Sequence, residues 1–130
     1  MSRIAAAALA YWAAVFALAF VIGALRIGFV PDGMPRALAV LAEVPLVLAF
    51  SWLAARAMLR RFGVARGGPA LAMGALAFAL LMAAELALAM TIAGQTPGQW
   101  LAAMMNGVGL IGLAGQIGFG LMPWAAARRG

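Results

Sequence analysis

Two acidic residues lie inside long apolar stretches of this sequence, where ionisable side chains are uncommon. Glu43 and Glu85 occupy two successive stretches, and Arg26 and Arg36 are the arginines that immediately precede Glu43. A carboxylate in apolar surroundings can bridge to an arginine, or it can exchange a proton or a cation. Glu43, Glu85, Arg26 and Arg36 are therefore the candidate polar cluster of this protein.

The composition indicates which solvent surrounds these residues. The chain has 130 residues, is 68% hydrophobic and has a mean hydropathy of +1.09. Soluble domains are about half apolar, and a chain this short could not bury so much apolar surface in one core. The sequence therefore predicts a membrane protein, whose apolar side chains face the lipid bilayer.

Four apolar stretches are each long enough, at 1.5 Å per residue, to cross a hydrocarbon core of about 30 Å. The predicted spans are 4–25, 36–59, 71–92 and 100–124, the last closed by Pro123. The first is expected to be a retained span, because its apolar run exceeds the ~7–15 residues of a signal-peptide core. Short connections between spans predict one all-α domain over 1–130, a transmembrane four-helix up-down-up-down bundle.

Arginine counting predicts the orientation of this bundle. The chain carries a net charge of +6, with nine arginines and no lysine. With four spans, Arg26 and Arg36 fall on one side of the membrane. The other side holds the remaining seven: Arg3, Arg56, Arg60, Arg61, Arg66, Arg128 and Arg129. The excess predicts that both termini are cytoplasmic. No basic face is interleaved with aromatic residues, so we expect no nucleic-acid partner.

The two acids are predicted to lie at the same depth. Glu43 follows Arg36 by seven residues and Glu85 precedes Ile92 by seven, which is about 10 Å from the same outer side. Arg36 shares a helix face with Glu43, and Arg26 at the end of the first span can reach this layer. Arginine–carboxylate bridges between helices are the favoured interpretation. The alternative is a proton or cation site, because two neighbouring carboxylates disfavour ionisation of both.

Two further features concern helix geometry. Pro45 predicts a kink in the second span, since it cannot donate to the carbonyl of Leu41. The fourth stretch carries small residues at every third position, and this packing face comprises Gly109, Gly112, Gly115 and Gly118, with Gln116 beside them. Such a face predicts close packing within the bundle, or alternatively against a second copy. Gln116 is expected to bond to a backbone group, a hydroxyl or another amide.

The residue types that catalysis and cofactor binding use most are missing. The chain has no cysteine and no histidine, which excludes disulfides, thiolate nucleophiles, iron–sulfur clusters and histidine-ligated haem or zinc. It also lacks a glycine loop of the kind that binds phosphate before a soluble helix. We therefore expect no enzymatic activity, no cofactor and no metal.

Several short motifs are spread over most of the chain. They are Gly23-Ala24-Leu25-Arg26 before Pro31, Glu43-Val44-Pro45, Ala55-Arg56 with Arg60-Arg61-Phe62, Ala84-Glu85, and Phe119-Gly120-Leu121-Met122-Pro123. In these motifs the chain resembles a group of small, uncharacterised four-span bacterial membrane proteins with no assigned activity. The resemblance implies a multi-pass protein of the bacterial inner membrane, and it implies no chemistry.

From these features we expect a structural or accessory integral membrane protein. Its partners would be the lipid bilayer and either a second copy, in a homo-oligomer, or a larger membrane complex. The alternative is a small proton- or cation-coupled carrier that uses Glu43 and Glu85.

Overall fold

The computed structural model of the chain describes residues 2–29 and 36–129, except for the side chains of 26–29, 36, 37, 39, 40 and 129. This part of the chain forms five α-helices and no strand, which confirms the all-helical prediction for the residues concerned. The helices are α1 (Arg3–Phe29), α2 (Arg36–Phe62), α3 (Gly68–Thr91), α4 (Pro97–Met104) and α5 (Val108–Arg129).

Four of the helices contain a stretch long and apolar enough to cross a membrane. These stretches are Arg3–Leu25, Leu41–Phe62, Gly68–Thr91 and Val108–Arg128. In each stretch only 11–22% of the residues of an 18-residue window are buried inside the protein, and many large apolar side chains face outward. Phe20 and Leu53, for example, are 62% and 65% exposed. Continuous apolar exposure on this scale is typical of a surface that contacts lipid or another protein.

The fourth predicted span, 100–124, is not one helix. The chain breaks between α4 and α5, where Gly107 takes a φ of +46°, in the left-handed region that glycine adopts without steric cost. The side-chain amide of Asn106 donates at 2.7 Å to the carbonyl of Ala102, which also accepts from the Met105 N–H at 3.2 Å. The fourth candidate span therefore begins eight residues later than predicted, as Val108–Arg128.

The beginning of α4 is fixed by its own side chains. The Thr96 hydroxyl accepts from the Gln99 N–H at 3.1 Å, and the Gln99 side chain accepts from the Thr96 N–H at 2.9 Å. Pro97 occupies the first turn, where its missing N–H costs nothing. This reciprocal pairing is a capping box, which starts a separate short helix. The prediction had divided the residues of this helix between a connection and the fourth span.

Pro123 lies inside α5 and does not end it, which corrects the prediction that it closes the fourth span. Because proline has no N–H, the carbonyl of Phe119, four residues earlier, lacks its helical donor. The hydroxyl of Tyr11 on α1 donates to that carbonyl at 2.7 Å, and the two rings stack with centroids 4.6 Å apart. A neighbouring helix thus satisfies the freed carbonyl, and this allows the helix to continue through the proline.

The helices do not pack in the order of the sequence. Within the described residues, α1 and α5 each pack against both α2 and α3, while α4 contacts α3 and α5. The cyclic order is therefore α1–α2–α5–α3, and α2 and α3, predicted as neighbours, lie diagonally. Glycines on two faces of α5 explain this order. Gly115 and Gly118 lie against α2. On another face, Gly120 lies so close to Gly74 of α3 that a Cβ on Gly74 would overlap the Gly120 carbonyl.

Burial is confined to one half of the bundle. All buried residues among the side chains that the structure describes fall in 7–15 of α1, 51–59 of α2, 70–77 of α3 and 119–126 of α5. Many of them are alanine, which lets the helices approach closely. In the other half of each long helix, none of the described side chains is buried. The helices enclose a cleft there.

Candidate functional site

Three of the polar residues singled out from the sequence, Glu43, Glu85 and Gln116, meet in the loosely packed half. Two adjoining cavities, of about 210 Å³ and 530 Å³, share Glu43, Glu85, Gly112 and Gln116 in their walls. The smaller cavity lies between α1, α2, α3 and α5, and the larger one continues beneath α4. We call the two together the acidic cleft. Glu43 and Glu85 thus border the same space, although their helices are not packed side by side.

Glu85 is held by an amide from the opposite helix. The Nε2 of Gln116 on α5 donates to the Oε2 of Glu85 on α3 at 2.5 Å, and both residues are half-buried. A hydrogen bond to a charged acceptor contributes about 1.5–3 kcal/mol. The bond therefore joins α3 to α5 at the layer of the carboxylates.

This carboxylate partner of Gln116 differs from the predicted one, which was a backbone group, a hydroxyl or another amide. The reason for the difference is the start of α5. Measured from Val108, Gln116 lies eight residues into the helix, and Glu85 lies six residues before the end of α3 at Thr91. At 1.5 Å per residue these depths are about 12 Å and 9 Å, so the two side chains can meet. With a span beginning at Trp100, Gln116 would lie a further 12 Å in.

Gln116 has a second polar atom whose situation is unusual. Its Oε1 is buried and, among the described residues, has no hydrogen-bond donor. Buried polar atoms are nearly always paired, so this acceptor is available to a donor that the described residues do not supply. A water, a protonated ligand or a cation would supply what Oε1 lacks.

The arginines predicted beside the acids cannot be placed. The side chains of Arg26 and Arg36 lie outside the described residues, so the predicted bridges to Glu43 and Glu85 stay predictions. Glu43 itself is half-buried on α2 and lines the acidic cleft. It is not without a partner, since it also interacts with another group of the chain.

The mouth of the acidic cleft is bordered by α4 and the residues that flank it. Gln95, Trp100 and Asn106 contribute to the wall of the larger cavity. Trp100, predicted to mark the start of a span, instead lies on the short helix over this mouth. Amides and an indole at this position give the entrance a polar and aromatic lining.

The floor of the acidic cleft is formed by the packed half of the bundle. Val15 and Phe119 line the bottom of the smaller cavity, and they are only 4% and 2% exposed. Phe119 is the residue whose carbonyl and ring are held by Tyr11. This role of Tyr11 was not predicted from the sequence. A lone tyrosine in an apolar span was the available signal, since its hydroxyl must find an acceptor there.

The glycines of the predicted packing face on α5 contact α2, contact α4 or open into the acidic cleft. Gly115 contacts Val44 and Gly118 contacts Leu48, both on α2, while Gly109 lies against the end of α4. Gly112 has no atom within 4 Å of where a Cβ would stand and opens into the acidic cleft.

Pro45 lies within α2, which runs without interruption from Arg36 to Phe62. Its side chain is exposed and faces away from the bundle, two residues after Glu43. The kink at Pro45 stays a prediction, and Pro45 is not among the residues that line the acidic cleft.

The acidic cleft has the chemistry of a site for a donor-rich or positively charged ligand. Carboxylate and amide oxygens are the groups that bind protons, hard cations and ammonium groups. No group of three or more histidine, cysteine, aspartate or glutamate side chains suited to a metal ion is present in the described part. Comparison with protein-family models, with curated proteins and with solved structures found no match. The likeness to small four-span bacterial membrane proteins therefore rests on the short motifs alone.

Proposed function

We propose that the chain is an integral membrane protein with four crossings, arranged up-down-up-down. The support comes from the four apolar helices and from the position of the buried residues. These fall in the first half of α1 and α3 and in the second half of α2 and α5. Helices that share one packed layer in this pattern alternate in direction. The short helix α4 then lies at the opposite end, beside the mouth of the acidic cleft.

We further propose that the packed end is cytoplasmic, in the inner membrane of a bacterium. Arg56, Arg60 and Arg66 border a common cavity with the end of α5, and Arg3 lies beside Gly63. The arginines are thus concentrated at the packed end, as the positive-inside rule requires of a cytoplasmic face. The acidic cleft would open to the periplasm.

Within this frame we propose that the acidic cleft binds a proton or a small cation, as part of a carrier. The observation that carries this proposal is that Glu43, Glu85 and Gln116 border one space that is closed at the bottom by Phe119. Ionisable residues within the bilayer are costly, and they are retained where they face a water-filled cavity or a partner. A carboxylate pair that borders such a cavity is suited to take up and release positive charge.

Gln116 would serve both protonation states of Glu85. Its Nε2 donates to the carboxylate, and after a half-turn of the amide its Oε1 could accept from a carboxylic acid O–H. Either state of Glu85 then keeps a hydrogen-bond partner, so proton exchange does not strand a buried polar group. The same half-turn would also change which amide atom faces a bound cation.

Flux measurements in liposomes test the carrier. The purified chain should dissipate a pH gradient, or take up a small cation at the expense of one, and Glu85→Gln should reduce that flux to the background of empty liposomes. Glu43→Gln should do the same. Thr91→Val is the matched control, because the Thr91 hydroxyl bonds within its own helix to Ala87 at 2.6 Å and lies outside the cleft. Flux that is unchanged in both glutamate variants would reject the carrier.

A second candidate is the non-enzymatic accessory role that the sequence favours. It is supported by an apolar groove of about 240 Å³ between α3 and α5, which Phe78, Ile117 and Leu121 help to form. A helix from a second copy or from a partner subunit could lie there. Crosslinking in native membranes, followed by purification in mild detergent, should then yield a defined complex, and recovery of the monomer alone would contradict this role.

A further inference from the structure

A second charged cavity lies at the opposite end of the bundle from the acidic cleft. It measures about 250 Å³ and is bordered by Arg56 and Arg60 of α2, Arg66 of the following loop and Ala126 of α5. We call it the arginine cavity. No carboxylate side chain is among the described residues that line it. The two acids with described side chains, Glu43 and Glu85, border the acidic cleft instead.

The position of each arginine follows from the local backbone. Arg56 and Arg60 are four residues apart on α2, so they share one helix face. After α2 the chain turns back at Gly63, which has a φ of +65°, and the Val64 N–H bonds to the Leu59 carbonyl at 3.0 Å. This turn directs the chain so that Arg66 reaches the same cavity. Three arginine residues from two elements therefore line one space.

Among the described residues, no acidic side chain balances the positive charge of the arginine cavity. The carboxyl ends of α2 and α5 lie at this end of the bundle, and each helix end carries about half a negative charge. Three guanidinium groups against about one negative charge leave a surplus of about two positive charges. A ligand with one to two negative charges would neutralise this surplus.

The shape and the lining indicate which anion would fit. Arginine presents N–H donors in a planar fork that matches the oxygens of a phosphate group. One side of the arginine cavity is apolar, with Leu59 and Ala126 only 8% and 1% exposed and Val64 beside them. A phosphate that carries a short apolar group would therefore satisfy both walls. Basic pockets between helices at a cytoplasmic face are suited to phospholipid headgroups in the same way.

We propose that the arginine cavity binds the phosphate group of an anionic ligand, through Arg56, Arg60 and Arg66. The ligand is either the headgroup of an anionic phospholipid or a free phosphate. Arg56 is half-buried and forms the inner part of the site, whereas Arg60 and Arg66 are exposed and form its rim. Binding would tie the loop after α2 to the end of α5.

The test is a binding titration on the full chain in a non-ionic detergent. The probes are a short-chain phosphatidate, a phosphatidylcholine of the same chain length and inorganic phosphate, each followed by tryptophan fluorescence and by native mass spectrometry. We expect saturable binding of phosphatidate and none of phosphatidylcholine. The double variant Arg60→Gln/Arg66→Gln should weaken that binding at least about tenfold, because two hydrogen-bonded charge contacts are lost.

A second double variant separates the site from general surface charge. Arg3→Gln/Arg61→Gln removes the same number of charges at the same end of the bundle, and neither residue borders the arginine cavity. Its affinity for phosphatidate should stay within about twofold of that of the unmodified chain, by the small effect expected of exposed charges. Equal weakening in both double variants would overturn the proposal.

Competition by inorganic phosphate shows which source of the anion the site binds. Binding of phosphatidate without competition from inorganic phosphate assigns the site to a lipid headgroup, and competition by phosphate assigns it to a free anion. Both results support a phosphate site. Saturable binding of neither probe would overturn it. Should the double variant lose its helical circular dichroism, the single variant Arg66→Gln, on an exposed loop residue, gives the same comparison.

Discussion

The hydrogen bond between Tyr11 and Phe119 should stabilise the protein only because Pro123 is present. The Tyr11 hydroxyl supplies the donor that Pro123 cannot give to the Phe119 carbonyl. Tyr11→Phe keeps the stacked ring and removes the hydroxyl, so that the buried carbonyl is left unsatisfied. Pro123→Ala restores an N–H at position 123, which can donate to the same carbonyl within α5.

The expected magnitude follows from the burial of the pair. Tyr11 is fully buried and Phe119 is 2% exposed, so water cannot replace the lost donor. An unsatisfied buried acceptor costs about 1–3 kcal/mol, while interhelical hydrogen bonds in membranes average about 0.6 and reach about 1.7 kcal/mol. We therefore expect Tyr11→Phe to lower the free energy of unfolding by about 1–2 kcal/mol. In the Pro123→Ala background the same change should cost less than about 0.5 kcal/mol.

A double-mutant cycle measures this difference directly. The free energies of unfolding of the four chains would come from titration with a denaturing detergent in mixed micelles, followed by circular dichroism. Both Pro123→Ala chains lose the same packing contacts of the proline ring, so the free-energy cost of that loss cancels in the coupling energy. Tyr11→Phe at equal cost in both backgrounds would refute the reasoning, because the hydroxyl would then serve something other than the carbonyl freed by Pro123.

Two further predictions use the same unfolding assay. Gly74→Ala should cost about 1–3 kcal/mol, since its Cβ would overlap the α5 backbone, whereas Gly68→Ala on the same helix meets no atom within 4 Å and should be neutral or slightly stabilising. Equal effects of the two would contradict the close crossing of α3 and α5. Gln116→Leu should cost about 1–3 kcal/mol by leaving Glu85 without its donor, and adding Glu85→Leu should recover most of that loss. A double variant less stable than Gln116→Leu alone would argue against the pairing.

The gross architecture could be read from the sequence because it depends on hydrophobicity alone. Four helices long and apolar enough to cross a membrane follow from uninterrupted runs of apolar residues. The prediction that Glu43 and Glu85 lie at equal depth comes from counting residues along two such runs, and both residues line the acidic cleft. Counting of this kind requires no knowledge of how the helices pack.

The errors arose where local hydrogen bonds override hydropathy. The stretch from Trp100 onward is apolar enough to continue as one helix, but the Asn106 side chain and Gly107 end α4 there. A capping box from Thr96 to Gln99 was visible in the sequence and signals a new helix start. The misplaced start of the last span then gave Gln116 the wrong depth and concealed its bond to Glu85.

The packing order of the helices could not be predicted from the sequence pattern. Short loops favour neighbouring helices, but they do not show which glycines meet across the bundle. Gly74 and Gly120 bring α3 to α5, while Gly115 and Gly118 bring α2 to the other side of the same helix. The role of Tyr11 is equally non-local, because its partner is 108 residues away in the chain.

Thiol accessibility at two adjacent positions of α5 tests the central claim most directly. The chain has no cysteine, so single substitutions report without background. Gln116 borders the acidic cleft, whereas Ile117 is 48% exposed on the outer surface. A thiol must ionise in water to react. In intact membranes we expect Gln116→Cys to react with a water-soluble maleimide, and Ile117→Cys, surrounded by lipid, to stay unmodified. Faster modification of Ile117→Cys than of Gln116→Cys would contradict a membrane-embedded bundle with a water-filled acidic cleft.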